Sequence, residues 1–419
     1  DKISMLYSEY LEITKEVGFI RRNADTSYKP KMVEKNKQYK YLFRRMLDEA
    51  NIKRAYKNLR RGKTKRREIK YIDAHYEEEA EKMRIMILNT RPGAEHPELG
   101  YHPPINRKVK HINEHGKDRR IYMPEIHEQW LHHIIILILG PIITRTAYRY
   151  SCGSIPKRGA HYGAKYIQKY IACGKASRNF AKLDIRHFYD NTRISIIMRE
   201  LATIILDDWF LYVISLCFYG FDKGIPLGFY ISQWLANFLL EPVDRFIVDV
   251  LRIPGYCRYM DDMWLADNAK KLLHKAVSAI KMLLGRMFRL KLKHNYQVIK
   301  FEYLKKNGEH IGRPIDMMGF VFYRSKTLMR KYVMLNTVRL VHHLHKEAEA
   351  GKRWFTTHIR AVLSGMGWFK HTNSYECYLK HIKPYINIGK LKHIISKIDK
   401  RERKASYDKL GRRALFSAA

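Results

Sequence analysis

The sequence is short of acid. Against 80 lysines and arginines it carries 41 aspartates and glutamates, a formal net charge of +39. That imbalance exceeds what one solvated basic face needs. It points to a polyanionic partner, nucleic acid first and an anionic membrane surface second. Paired cysteine spacing is also missing. Cys152, Cys173, Cys217, Cys257 and Cys377 make no C-x-x-C step, which argues against a zinc ribbon or disulfide framework and for a reducing cytoplasm. The longest apolar run, at 134–139 with its flanks, falls short of the ~20 residues of a bilayer span. Internal repeats and low-complexity tracts are lacking. No signal peptide is visible, and a chain opening on Asp1 reads as a trimmed or incomplete start. What is present is 46% hydrophobic and 12% aromatic over 419 residues. That suits two or three domains with real cores and excludes a disordered basic tail.

Patterning predicts a basic helical region over 1–95, where apolar residues recur every three or four positions among Lys and Arg. A Pro- and Gly-rich break follows at 89–105. Alternation around Val109, Ile112, Ile121 and Tyr122 predicts a β-hairpin turning near Glu114-His115-Gly116. An apolar helix is expected at 125–150 and a short strand at "NFAKLD", 179–184. Helices are expected at 192–219, 230–251 and 270–290, with a second hairpin centred on Asp261. "LKLKHNYQVIKFEYL" and "IDMMGFVFYRSKTLMRK" read as strands, and the last 90 residues or so as a basic helical bundle. The order implies an α+β domain between two helical regions.

Within this basic chain, three carboxylates stand in apolar frames. Asp184 ends "FAKLD", and Asp261 and Asp262 sit side by side in "RYMDDMWL". A single Asp at a strand end is ordinarily a turn residue, but two adjacent ones repel unless positive charge lies close. If the strands are neighbours, the carboxylates converge at one end of a sheet and can hold hard divalent cations, two Mg²⁺ or alternatively Mn²⁺. Two ions ~3.5–4 Å apart can activate a 3′-hydroxyl and stabilise a leaving pyrophosphate.

Several other signals carry less. In "HEQWLHH" the spacing is H-E-x-x-x-H with Leu131 four residues after His127, so the zinc-protease pattern fails. His132 and His133 read as polar helix positions near nucleic acid or at a core edge. Asp207-Asp208 reads as a helix surface, and Gly365, Gly367 and Trp368 as close helix packing.

"YMDD" on a hairpin, preceded by "LDIRHFYD", resembles the palm of a reverse transcriptase, and further motifs follow in order. "GKDRRIYMP" resembles the fingers hairpin, where Lys117 and Arg119 or Arg120 would contact the incoming triphosphate. "GIPLGFYISQWLANFLLEPVD" resembles the segment packing against template and nucleotide. "LKLKHNYQ" resembles the lysine-bearing motif, with Lys291 or Lys293 a candidate proton donor to pyrophosphate. "MMGFVFY" resembles the primer grip, bringing in Gly319 and Phe320, and "GMGWFKHTNSYECYLKHI" a helical thumb.

The resemblance covers about 100–390 and implies a right-hand polymerase: fingers at 96–180, palm with an antiparallel sheet at 181–325, thumb and basic region at 326–419. Asp184, Asp261 and Asp262 would be the metal carboxylates, with the Ile185 carbonyl a further ligand. Tyr189 falls at the steric gate against a ribose 2′-OH; read alone it is a core aromatic. Tyr259 and Met260 would lie under the primer end. Lys157-Arg158-Gly159 reads equally as a loop near the template backbone or an ordinary basic turn. Leu227 and Gly228 stand where many reverse transcriptases have Gln-Gly. With Ser232-Gln233 they resemble the bacterial enzymes of diversity-generating retroelements and the defence-associated, abortive-infection-like groups.

The implied partners are a structured non-coding RNA template, dNTPs and a cDNA product, with an accessory protein or homo-oligomer open and no membrane. The implied location is the cytoplasm of a bacterium, encoded by it or by a phage. A catalytically weak RNA-binding relative and an RNA-templated RNA polymerase are the alternatives.

Overall fold

The basic amino-terminal stretch folds as α1 (Lys2–Glu16), α2 (Leu42–Met46), α3 (Glu49–Arg60), α4 (Arg67–Ala74) and α5 (Tyr76–Asn89). On α3, Ile52, Ala55, Tyr56 and Leu59 share one buried stripe while Lys53, Arg54 and Lys57 face solvent, the periodicity of an amphipathic helix. Asp48 caps it, its side chain accepting from the Ala50 amide at 2.9 Å. The computed structural model describes residues 2–19, 38–114, 117–174, 178–221 and 223–401. Two compact units divide the chain: Asp1–Tyr170 with Gly174–Lys300, and Ile171–Cys173 with Phe301–Ala419.

In the first unit, β1 (Lys108–Glu114) and β2 (Lys117–Met123) form a hairpin in full register from Lys108↔Met123 to Glu114↔Lys117. Next comes α6 (Ile126–Thr146). At 21 residues it is long and apolar enough to cross a membrane, which corrects the expectation that every apolar stretch is too short; 67% of its apolar window is buried inside the fold. Trp130, Leu131, Ile134, Ile135 and Leu139 are fully buried, and Trp130 donates to the Ile52 carbonyl at 3.0 Å, tying the amino-terminal helices into the same core. His132 is buried as well, at 0% exposure, so it is an interior group and not one at a nucleic-acid face or core edge.

After β3 (Ser151–Cys152) and α7 (Ala160–Ala172), the chain enters β4 (Asn179–Asp184), the short α8 (Phe188–Asn191), α9 (Ile194–Ala202) and α10 (Asp208–Cys217). The helical pattern at 192–219 is thus two helices. Asp207 is the cap of the second and not a helix-surface residue: it accepts from the amides of Phe210 at 3.1 Å and Phe43 at 2.9 Å. Then follow α11 (Tyr230–Arg245), β5 (Gly255–Tyr259), β6 (Asp262–Asp267), α12 (Lys270–Phe288) and β7 (Gln297–Lys300). A Cβ on Gly140 would lie 3.3 Å from the Trp234 ring, so glycine there permits the close packing of α6 on α11.

The five-stranded sheet has the order β3-β5-β6-β4-β7. It is antiparallel except at one edge, where β3 runs parallel to β5. Side chains alternate across a sheet. Ala181, Leu183, Met263, Leu265 and Tyr256 belong to the main core, with α11 and α12. On the other face Trp264 meets the rings of Tyr166 and Tyr170 from α7 at 6.4 and 5.4 Å. "LKLKHNYQ", expected as strand, makes only the isolated bridge Ile185↔Leu292 before β7 begins at Gln297.

The second unit holds β8 (Tyr303–Leu304) paired with β9 (His310–Ile311), and the sheet β10 (Ile315–Met317), β11 (Phe320–Phe322), β12 (Thr327–Met329). Helices α13 (Lys331–Glu349), α14 (Thr356–Phe369) and α15 (Tyr375–His381) follow. Val341, Leu344, Ile359 and Val362 share its core. A Cβ on Gly365 would stand 2.5 Å from the Thr337 hydroxyl, and one on Gly319 2.7 Å from the Trp368 ring. Those glycines serve close packing. The architecture is α+β, with a five-stranded sheet in the first unit and a three-stranded sheet and helices in the second.

Candidate active site

The register brings the acids together. β4 and β6 pair so that Asp184 lies directly opposite Asp262, and opposed residues share a face. Tyr259↔Asp262 closes the β5–β6 hairpin, leaving Met260 and Asp261 as its two-residue turn. Met260 takes the left-handed conformation, φ 54°, which costs a non-glycine residue roughly 1–2 kcal/mol. Its surroundings hold it there. The Met260 amide donates to the Cys152 carbonyl at 3.1 Å, and the Arg258 guanidinium donates to the Met260 carbonyl at 2.9 Å.

Arg258 and its partners carry no motif in the sequence that assigns them a role. The guanidinium is 1% exposed and forks onto Asp244 at 2.7 and 2.6 Å, with a third bond to the Asn237 side-chain oxygen at 3.1 Å. Asp244 also accepts from the Tyr256 hydroxyl at 2.6 Å, and Asn237 donates to the Gly153 carbonyl at 3.0 Å. A buried ion pair says more about geometry than about stability. This one fixes the Met260-Asp261 turn to α11 and to the loop after β3. The available signal was a lone Arg at an inward position of the apolar strand "GYCRY".

Burial pushes the Asp261 carboxyl up to about 6, with the charges of Asp184 and then Asp262 adding to the rise, while Lys293 opposes it. Lys293 is also the ion-pair partner of Asp184 through Oδ2, whereas Asp184 Oδ1 is buried with no hydrogen-bond partner. Backbone bonds from Arg186 N to Lys291 O and from Lys293 N to Asp184 O, both 2.8 Å, bracket Ile185 and leave its carbonyl outside that ladder. Of the two candidate lysines, Lys293 therefore stands at the acidic end, and Lys291 is exposed. Hard oxygen donors, a stranded carboxylate oxygen and clustered negative charge fit a divalent metal ion. Asp184, Asp261 and Asp262 would hold it, with the Ile185 carbonyl at hand.

Around the acids, Tyr189 is half-buried, and burial followed by the Asp261 charge pushes its phenol up, while Arg119 acts in the opposite sense. Its carbonyl accepts from the Ile225 amide at 2.8 Å. The Tyr122 amide donates to the Leu227 carbonyl at 2.8 Å, so the "GIPLG" segment bridges Tyr189 and the fingers hairpin. Gly228, at φ 102°, is obligatory: a Cβ there would be driven into the Tyr122 carbonyl. Alternation along β2 separates Arg119 from Arg120, and Arg119 is the one whose charge acts on Tyr189. Lys117 opens β2, and its side chain lies outside the described residues.

The 153–159 loop borders the Met260-Asp261 turn, a Cβ on Gly153 meeting Met260 at 3.0 Å. Within it Lys157 is exposed, Arg158 donates to the Tyr148 carbonyl at 3.1 Å, and Gly159 faces open space. Tyr259 is half-buried beside Cys152. Gly319 and Phe320 belong to the second unit. Phe320 is fully buried, 4.8 Å from the Trp368 ring, so its side chain cannot meet nucleic acid as the primer-grip resemblance implied.

An acidic trio at one end of a helix-backed sheet, with Tyr189 beside it, suits a palm of the nucleotidyltransferase class. Residues 110–312 match the family model described as "Reverse transcriptase (RNA-dependent DNA polymerase)", and that stretch contains all three aspartates. That stretch of the chain is thus similar to a reverse transcriptase domain. Among curated proteins it is 22% identical over 181 residues to Protein YkfC of Escherichia coli K12, a match covering 40% of this chain and 47% of that protein. Among solved structures it is similar to telomerase from Candida albicans in complex with a fragment of telomeric RNA. That match has a TM-score of 0.42 and 12% identity, covering 66% of this chain and 56% of the other. Apo telomerase from Candida tropicalis matches at a TM-score of 0.37 and 12% identity, covering 54% and 55%. The chain spans about half the length of these relatives.

Proposed function

We propose that this protein is an RNA-directed DNA polymerase that synthesises cDNA on a dedicated structured RNA, in antiphage defence or retroelement diversification. One observation carries the reading: the register that sets Asp184 against Asp262 and holds Asp261 on a braced turn between them. Bound at these carboxylates, two magnesium ions would lower the pKa of the primer 3′-hydroxyl and offset charge on the leaving pyrophosphate. The chain's own groups orient the reactants. Arg119, and Lys117 by its place in the motif, would hold the triphosphate; Tyr189 would exclude a 2′-hydroxyl; Lys293 would stand ready to protonate the leaving group.

The charge balance supports an RNA partner held largely through phosphate contacts, with Lys53, Arg54, Lys57, Arg67 and Lys70 exposed on the amino-terminal helices. Such a complex would sit in the cytoplasm of a bacterium. Incubation with template RNA, primer, Mg²⁺ and either dNTPs or rNTPs tests the proposal. Incorporation of dNTPs that Asp261→Asn abolishes is expected. Incorporation of rNTPs alone would make it an RNA polymerase, and no incorporation on any RNA, including copurifying RNA, would leave an RNA-binding protein. Sequencing copurifying RNA and cDNA distinguishes defence from diversification.

A further inference from the structure

In the second unit, far in sequence from the acidic trio, α13 and α14 bring together His343, Glu347 and His358. One ligand atom from each lies within 4.8 Å of the others. His343 and Glu347 are one helical turn apart and so project from one face; His358 comes from the first turn of α14.

Two observations show that the cluster is more than a surface ion pair. Glu347 Oε2 and His358 Nδ1 are both buried without a hydrogen-bond partner, a condition that costs free energy unless something satisfies it. The separation of His343 Nε2 and Glu347 Oε1 is 3.4 Å, longer than the ~2.7–2.9 Å of a charge-assisted hydrogen bond. It matches the edge of roughly 3.3 Å that two ligands make when each is ~2.0–2.1 Å from a tetrahedral metal. The His358 ring is set edge-on against His343 at 5.6 Å and Phe355 at 5.5 Å, which limits its rotation.

We propose that His343, Glu347 and His358 bind a transition metal, zinc by donor chemistry, with water at the fourth position, and that this ion fastens α13 to α14. Two imidazoles and one carboxylate favour Zn²⁺ over the Mg²⁺ of an all-oxygen site. The palm and this cluster therefore take different ions.

The full chain, stripped with chelator and returned to excess Mg²⁺, is titrated with Zn²⁺ by calorimetry and with Co²⁺ by visible absorption. The expected result is one equivalent of Zn²⁺, tetrahedral Co²⁺ bands, and a higher melting temperature with metal. In His343→Ala, Glu347→Gln and His358→Ala the affinity falls at least tenfold, while the control His345→Ala is unchanged. His343 is exposed, so its variant reads the site even where His358→Ala does not fold. Absence of stoichiometric binding, or equal affinity in parent and the His343 and Glu347 variants, overturns the proposal, as would an equal loss in the control.

Discussion

In the metal-free protein, Asp261→Asn is expected to raise stability while it abolishes polymerisation. The folded state lifts the Asp261 pKa from 3.8 to about 6, chiefly through burial and the neighbouring Asp184 and Asp262 charges. A rise of about two units at ~1.4 kcal/mol each amounts to roughly 3 kcal/mol of penalty on the ionised form. The turn is only partly buried, and solvent screening reduces the expected gain to about 1–2 kcal/mol. The sign follows from proton binding. Because the folded pKa is the higher one, the folded state holds more protons between pH 3.8 and about 6, so parent stability falls as pH rises through that window. Above it the penalty is constant, and below it the penalty disappears.

Urea denaturation in chelator, followed by tryptophan fluorescence with Trp264 on the adjoining strand, reads the difference directly. At pH 7.5 the variant should have the higher midpoint, and at pH 4.5 the gap should narrow to less than half. Magnesium should stabilise the parent more than the variant at pH 7.5. A variant no more stable than the parent at pH 7.5, or equally favoured at both pH values, would refute the reasoning.

Three further outcomes are expected. Arg258→Met leaves Asp244 buried without its cation and should cost about 3–5 kcal/mol; adding Asp244→Leu should restore much of the stability, but not the turnover number, because the Met260 carbonyl remains untethered. Tyr189→Ala should narrow the preference for dNTPs over rNTPs at least ~10-fold in kcat/KM, a transition-state difference of about 1.4 kcal/mol; an unchanged ratio would show that the ring does not gate the sugar. Gly228→Ala forces both a positive φ and a collision with the Tyr122 carbonyl, so a loss of about 2 kcal/mol or more in denaturant stability is expected, and neutral behaviour would contradict the described turn.

Much of the palm was legible because its signals are local. Apolar, β-prone runs marked "NFAKLD" as a strand ending on Asp184, and "RYMDDMWL" as a hairpin centred on Asp261. Expectations failed where a residue's role depends on what packs against it. Asp207 looks like helix surface until Phe43 arrives with an unpaired amide, and His132 looks polar until the core closes around it. Phe320 resembles a primer contact until Trp368 covers its ring.

By itself, then, the sequence determined the basic character, the succession of helices and hairpins, and the three carboxylates, all properties of composition or of periods of two and three to four residues. Only the tertiary structure decided that Asp184 faces Asp262, that Arg258 and Asp244 brace the bend, that the charge of Arg119 acts on Tyr189, and that His343, Glu347 and His358 meet. The reason is physical. Strand register, ion pairing in the interior and contacts between helices are fixed by which distant surfaces exclude water together, and no local period in the chain records that choice.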